Sequence, residues 1–285
     1  ELPECGEVTE RAQTLVAAFR QLGRLLLLQG RASERRGMVD EAVAAYTDVL
    51  RLADVSTRNG DAMRAICGAF IQLYVDGDLA RCVHAPGLSD EALSGFGEFL
   101  AAWWKSRVRW AETLAVDWEV SQAEYRRILS APGPGVLARL KHALQRPFCT
   151  AYIGRERRGL WHAIQSASEP TWQRGEPHRA VKAAMYAETA LASCVRADGR
   201  DARMLRLRFQ VALEQYRRDH ERLPESLDAL VPEYLPEVPP DPFCGAPMRY
   251  EITDGGYRLY SAAEVKDGQM WRGEPAPVYE CETGR

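Results

Sequence analysis

The stretch LRLRFQVALEQYRRD, residues 205–219, sets Leu205, Phe209, Ala212, Leu213 and Tyr216 at steps of four, three, one and three. That spacing puts all five on one stripe of an α-helix. Further on, MRYEITDGGYRLYS, residues 248–261, alternates Met248, Tyr250 and Ile252 with Arg249, Glu251 and Thr253. It then turns at Asp254-Gly255-Gly256 into a second β-favouring run. An isolated two-stranded hairpin is at best marginal in water, so its apolar face needs a partner, and the stripe ending at Tyr216 is the nearest one. Seven of the chain's 16 prolines fall from Pro224 to Pro247, which excludes helix there and requires an ordered, extended loop. Residues 201–285 thus read as helix, proline-rich loop and hairpin, a small α+β unit.

Upstream the period is helical almost throughout, so the fold class is mostly α, with a helical bundle over residues 1–200. Leu15, Phe19, Leu22 and Leu26 form one core-facing stripe between Glu10 and Gln29. Gly30 and Gly37 lead into a second, antiparallel helix with Val39, Ala42, Val43, Tyr46, Val49, Leu50 and Ala53, stopped at Asn59-Gly60. The small Ala42 and Ala45 beside Tyr46 resemble a tetratricopeptide-type hairpin, but no 34-residue period repeats along the chain. Met63, Ile66, Cys67, Phe70 and Leu73 make a third stripe, and Pro86-Gly87 breaks the chain before Ser89, an N-cap with Asp90 and Glu91 in the first turn.

Leu93, Phe96, Leu100, Trp103 and Trp104, then Val108, Trp110, Ala115 and Trp118, carry the aromatic load. Large aromatics at helical spacing fill a bundle core more often than a cleft. Glu112 and Glu119 share a helical face but have no histidine at metal spacing, so they read as an exposed or salt-bridged surface. Ala131 to Gly135 marks a loop; short helices follow around Leu137–Leu144, Leu160–Ala167 and Ala180–Val195, with an interruption at Asp198-Gly199-Arg200 and a domain seam near residue 200. Arg155, Arg157 and Arg158, interleaved with Glu156, read as solvated surface.

Composition bounds the function. Hydrophobic residues make up 46% of the 285 and charged residues 27%, an ordinary globular balance. With 37 Lys+Arg against 40 Asp+Glu the net charge is −3, so no global field holds a polyphosphate and nucleic acid is not an expected partner. The longest apolar run, Phe99 to Trp104, is far short of the roughly 20 residues that span a bilayer. The sequence opens on Glu1 rather than Met, which leaves room for a membrane anchor or leader upstream of residue 1. Of seven scattered cysteines, Cys67 and Cys194 read as small buried hydrophobes, and only Cys244 and Cys281 suggest a disulfide.

The succession ALEQYRRD (212–219), LPESLDAL (223–230), VPEYLP (231–236), VPPDPF (238–243) with Gly245, MRY (248–250) and GYRLYS (256–261) resembles the globular domain of the major pseudopilin of type II secretion. The resemblance covers residues 203–268, and the whole chain resembles uncharacterised bacterial envelope-type proteins with a helical region ahead of such a tail. It implies a structural motif of Tyr216, Pro224, Leu227, Asp241, Pro242, Phe243, Gly245, Tyr250, Tyr257 and Tyr260. Tyr216 packs on the helix, Pro224 stops it, and Asp241-Pro242-Phe243 pins a turn into the hairpin. It also implies a calcium loop, for which this chain offers only Ser261, Glu264 and Asp267, short of the six to eight oxygens a hard cation takes. The family's glycine at the helix end is replaced near Glu221, so that turn is expected to be built differently. About 200 residues of helical protein stand where pseudopilins carry an assembly helix, which argues against filament formation by that route.

His84, His142, His162, His178 and His220 fall in no metal spacing, and no nucleophile elbow, phosphate loop or dinucleotide fingerprint is present. His220 suits a C-terminal helix cap. No cofactor is expected beyond the weak calcium candidates. The reading favoured by the sequence is a non-enzymatic protein of the bacterial periplasm or envelope that binds a protein partner. The alternatives are a cytosolic helical-repeat adaptor and an enzyme using the Trp-rich helices as a pocket.

Overall fold

The computed structural model describes residues 5–58, 62–130, 135–169, 173–174, 178–261 and 278–282. Nine helices lie among them: α1 (Cys5–Arg35), α2 (Val39–Thr57), α3 (Ala62–Leu73), α4 (Asp76–Val83), α5 (Asp90–Ser106), α6 (Trp110–Ser130), α7 (Val136–Ser168), α8 (Arg179–Lys182) and α9 (Met185–His220). A 3-10 turn at Leu227–Leu230 and the strands β1 (Arg249–Thr253), β2 (Gly256–Tyr260) and β3 (Val278–Glu282) follow. The fold is mostly helical with a small antiparallel β unit at the C-terminal end.

The first three helices run antiparallel, and small residues set their spacing. The stripe that α1 turns inward is Val16, Phe19, Gly23, Leu26 and Gly30: Phe19 and Leu26 of the expected stripe pack on the core, whereas Leu15 and Leu22 are 42% and 47% exposed. Hydropathy overlooks glycine, and here two glycines hold the contact face. A Cβ on Gly30 would stand 2.3 Å from the Tyr46 ring, and one on Gly23 would stand 3.1 Å from Ile71. On α2, Ala42, Val43, Tyr46, Val49, Leu50 and Ala53 are all buried as their spacing predicts. Gly68 brings α3 equally close to Ala53 and Thr57. The Ala62 N–H, at the first turn of α3, donates to the Asp117 carboxylate of α6 at 3.2 Å. The stop expected at Asn59-Gly60 and most of the loop at 131–135 lie outside the described residues.

The break at Pro86-Gly87 is present, and the Ser89 hydroxyl caps α5 by accepting from Ala92 N–H at 3.1 Å. The third helix, expected to run on to that break, is two: α3 ends at Leu73, and the separate α4 buries Leu79, Cys82 and Val83. The aromatics Phe96, Trp103 and Trp110 are core residues.

Two expected interruptions are absent. One helix, α7, runs through Pro147, where short stretches were expected, although the missing N–H leaves one turn without its bond. The second, α9, starts only at Met185, after the separate α8, and continues through Asp198-Gly199-Arg200 to His220. Tertiary contacts offset the roughly 1 kcal/mol that a helical glycine costs: Ala197 and Ala202 are buried beside it, and the Arg200 guanidinium donates to the Val108 carbonyl at 2.8 Å.

The long helix α9 is a shared wall. Met204, Leu207 and Val211 face the core built by α2 to α5. Leu205, Phe209, Ala212 and Leu213 face Leu227, Leu230, Leu235, Met248, Tyr257 and Leu259, with Tyr216 and Tyr250 at the margin. The hairpin therefore packs on the helical stripe that the spacing pointed to. Its register pairs Arg249 with Tyr260 and Thr253 with Gly256, around the turn Asp254-Gly255. Ile252 is an exception to the alternation, 54% exposed near the hairpin tip. The expected two strands are three, because β3 pairs along the free edge of β2, Tyr260 opposite Val278 and Gly256 opposite Glu282. That edge strand adds the ladder a lone hairpin lacks.

Helix α9 ends in a left-handed turn after all. Glu221 takes φ 54° and ψ 18°, the conformation a glycine would supply without steric cost. Replacing Glu221 with glycine is expected to stabilise the protein by about 0.5–1 kcal/mol, seen as a higher thermal midpoint, since the relief of left-handed strain exceeds the added chain entropy. An unchanged or lower midpoint would show that the strain is not there.

Candidate functional site

The proline-rich segment is organised by one carboxylate. Asp241 is 1% exposed; its Oδ1 accepts from Phe243 N–H at 2.8 Å, and its backbone exchanges bonds with Ala246 and Gly245, both at 2.8 Å. Gly245 sits at φ 74°, where a side chain would be strained. The Ser261 hydroxyl donates to Asp241 Oδ2 and the Cys244 thiol reaches the same oxygen at 3.5 Å. Asp241-Pro242-Phe243 and Gly245 thus tie the entrance of the hairpin to its exit. Of the calcium candidates, Ser261 has its hydroxyl on Asp241, while Glu264 and Asp267 lie outside the described residues, as does the Cys281 side chain needed for a pair with Cys244. Among the described residues no three His, Cys, Asp or Glu side chains are grouped to hold a metal ion.

Around Tyr216 the structure assembles an aromatic corner. Its ring stacks on His220 with centroids 4.1 Å apart and meets Tyr234 edge-on at 5.7 Å. His220 Nδ1 lies 3.1 Å from the Tyr216 carbonyl, donating as a cap for the last turn of α9. The Tyr234 hydroxyl donates to Asp219 at 2.7 Å. Pro224 and Leu227 are buried beneath, and the helix has already stopped at Glu221, ahead of Pro224. Burial pushes the Tyr250 hydroxyl up to about 12, and the ring lies 5.8 Å from that of Tyr257. On the outer face of the ribbon, the Tyr260 hydroxyl donates to Glu251.

The most concentrated polar chemistry is buried between the bundle, α9 and the ribbon. Glu214, its side chain 1% exposed, accepts from Arg217 at 2.9 and 2.7 Å and from Arg218 at 2.9 Å. His84, at the C-terminal end of α4, places Nδ1 3.3 Å from Glu214 and Nε2 3.1 Å from the Tyr257 hydroxyl of β2. Arg218 continues the chain to the Leu88 carbonyl at 3.0 Å and to Asp90 at 2.6 Å. Burial alone would raise the Glu214 carboxyl; the hydrogen bonds from His84, Arg217 and Arg218 outweigh it and hold the pKa at about 2. With Glu214 ionised, His84 donates from Nδ1, and in the neutral imidazole Nε2 accepts the Tyr257 proton. Tyr257 is 1% exposed, and the relay ties α4, α9 and β2 together.

The spacing of Glu214, Arg217 and Arg218 at three and four residues was a legible ion-pair signal. His84 carried none, being 130 residues from its partner.

Elsewhere the candidates separate. Glu112 and Glu119 are both exposed, and the aromatic residues Phe96, Trp103 and Trp110 pack into core rather than around a cleft. Cys67 and Cys82 are buried thiols whose pKa burial raises, that of Cys82 to about 12, so both serve as small apolar groups. The Cys194 side chain is outside the described residues. His162 of α7 and His178, the cap of α8, meet ring on ring at 3.6 Å, a pairing that no spacing in the chain announces. Burial, then the charge of His178, lowers the His162 pKa.

What the helices leave outside is apolar on one side. Leu15, Leu22, Leu25 and Leu28 of α1 are 42%, 47%, 64% and 60% exposed, and on α3 Met63, Phe70 and Leu73 also face solvent. No described helix is long and apolar enough to cross a membrane.

The chain matches no family model, no curated protein and no solved structure.

Proposed function

We propose that this chain is a non-catalytic scaffold that holds a protein partner on its N-terminal helical hairpins, with the pseudopilin-like segment serving as a fixed C-terminal brace. The observation that carries the reading is the outward row of leucines on α1. Scattered single apolar residues are normal on a surface, but Leu15, Leu22 and Leu25 recur at helical spacing along one stripe, with Leu28 one step further. The neighbouring, glycine-bearing face of the same helix is already used to pack on α2 and α3. An apolar arc wider than the bundle covers suits a second contact on its free part. The envelope setting belongs to the same proposal and rests on the resemblance of residues 203–268.

The test is a comparison of the native protein with the double variant Leu22→Glu, Leu25→Glu in affinity capture from source cells, followed by fractionation. Both side chains are half exposed or more, so the variant is expected to keep the parent thermal midpoint within the roughly 0.5 kcal/mol of ordinary surface changes. The partner recovered with the native protein is expected to be missing with the variant, and to sit in the envelope fraction. Identical partner sets from both proteins would end the reading.

A further inference from the structure

Ten of the described arginines from Arg31 to Arg218 have a carboxylate within 4 Å: Arg31, Arg51, Arg58, Arg81, Arg107, Arg174, Arg200, Arg206, Arg217 and Arg218. Three that do not, among the described residues, meet at one place. Arg155 and Arg158 of α7 and Arg179 of α8 surround a trough of about 590 Å³ whose floor is made by the small side chains of Ala151, Ala180 and Ala183. All three guanidinium groups belong to exposed residues, while Glu156 between them in sequence is turned inward, 4% exposed. In a chain of net charge −3, this is a local positive site with no paired carboxylate among the described residues.

Arg158 is also the edge of a second trough of about 320 Å³, walled by Trp118 and Trp161 and floored by Gly154, where a Cβ would meet nothing within 4 Å. Arg157 lies over the Trp118 ring at 5.5 Å, and Arg155 over Tyr152 at 5.3 Å. The two troughs lie on either side of Arg158, which lines both, and both are open to solvent, which suits a chain lying across them better than a small molecule enclosed by them.

We propose that this double groove binds an extended acidic peptide segment, its carboxylates on Arg155, Arg158 and Arg179 and one apolar side chain between Trp118 and Trp161. A guanidinium fork matches a carboxylate in two parallel hydrogen bonds, and indole walls take an apolar side chain with little loss of freedom. A nucleic acid strand would offer the same forks its phosphates, but it would approach against the negative charge of the rest of the molecule, and three arginines neutralise only a short length of it. The groove is built from α6, α7 and α8 and none of the α1 leucines lines it, so the proposal stands whether or not that face holds a partner.

The experiment titrates the full chain into a fluorescein-labelled synthetic peptide of glutamates around one leucine, read by polarisation, with a serine-for-leucine peptide and a short oligothymidylate as comparators. Saturable binding in the range of about 10–100 μM is expected, weakening as salt rises. Arg158→Glu is expected to cost about tenfold or more and Trp161→Ala about threefold, both without change in the helical circular dichroism, as befits exposed residues. The serine peptide is expected to bind more weakly than the leucine peptide. Absence of saturation up to about 1 mM, indifference to Arg158→Glu, or tighter binding of the oligothymidylate than of the peptide would overturn the proposal.

Discussion

Glu214→Ala is expected to destabilise the protein by about 2–3 kcal/mol, the loss of charge-assisted hydrogen bonds to a buried carboxylate. The alanine leaves Arg217, Arg218 and the Nδ1 of His84 without the carboxylate that all three address, in a place where Glu214 itself is 1% exposed. Arg217→Ala, by contrast, removes a side chain 39% exposed and is expected to cost less than about 1 kcal/mol. The pH dependence follows from the sign of the shift. A carboxyl held at about 2 when folded, against an ordinary glutamate near 4.3, contributes its stability fully above the ordinary value. That contribution, roughly 3 kcal/mol, is lost as the pH falls from there toward 2. Urea midpoints of the native protein at neutral pH and at acid pH are therefore expected to differ more than those of the variant. If Glu214→Ala unfolds within about 0.5 kcal/mol of the parent at neutral pH, the lock between bundle, α9 and ribbon is not formed.

The second large effect is expected at Gly30. A glycine inside a helix normally gains about 1 kcal/mol when changed to alanine. Here the new methyl would stand 2.3, 2.6 and 2.9 Å from three ring carbons of Tyr46. That ring has no room to swing aside, being 0% exposed with its hydroxyl donating to Glu34 at 2.8 Å. Overpacking reverses the sign, and Gly30→Ala is expected to lose about 2–3 kcal/mol. Gly95, helical and with nothing within 4 Å of its missing Cβ, is the internal control and is expected to gain. Adding Tyr46→Leu to Gly30→Ala is expected to cost less than the sum of the single changes, which a double-mutant cycle measures directly. Additive losses would mean that α1 and α2 do not approach as closely as described.

These two sites also show where sequence reading succeeds and where it stops. The stripe Leu205, Phe209, Ala212, Leu213 and Tyr216 was legible because each buried position is apolar and the period is undisturbed. On the other side of α9, Met204, Leu207 and Val211 are equally buried, yet they alternate with Arg206, Arg208 and Gln210, which are buried too. A polar residue in a core is invisible to a hydropathy pattern until its partner is placed; Arg206 meets Asp76 at 2.5 Å from 130 residues away. On α1 the same rule failed in the opposite way, because glycine contributes nothing to hydropathy while allowing the closest contact.

Helix continuity through Gly199 reflects packing that outweighs local propensity, a balance that no window of sequence contains. Of the polar sites, Asp241 could be anticipated as the pin of a proline turn, although not its bond to Ser261. The double groove could not be anticipated, since Trp118, Arg158 and Arg179 come together only when α6, α7 and α8 are laid side by side.

One consequence of α9 reaches beyond either core that it serves. A helix that lends one face to the bundle and the other to the ribbon makes their melting cooperative, because fraying on one side strips contacts from the other. Trp104, touching both clusters, fastens the same joint. Severing the chain within α9 would leave two stumps, each missing a wall, rather than two autonomous pieces. Any strain applied to the C-terminal ribbon is thereby transmitted to the helices around His84 as a mechanical load.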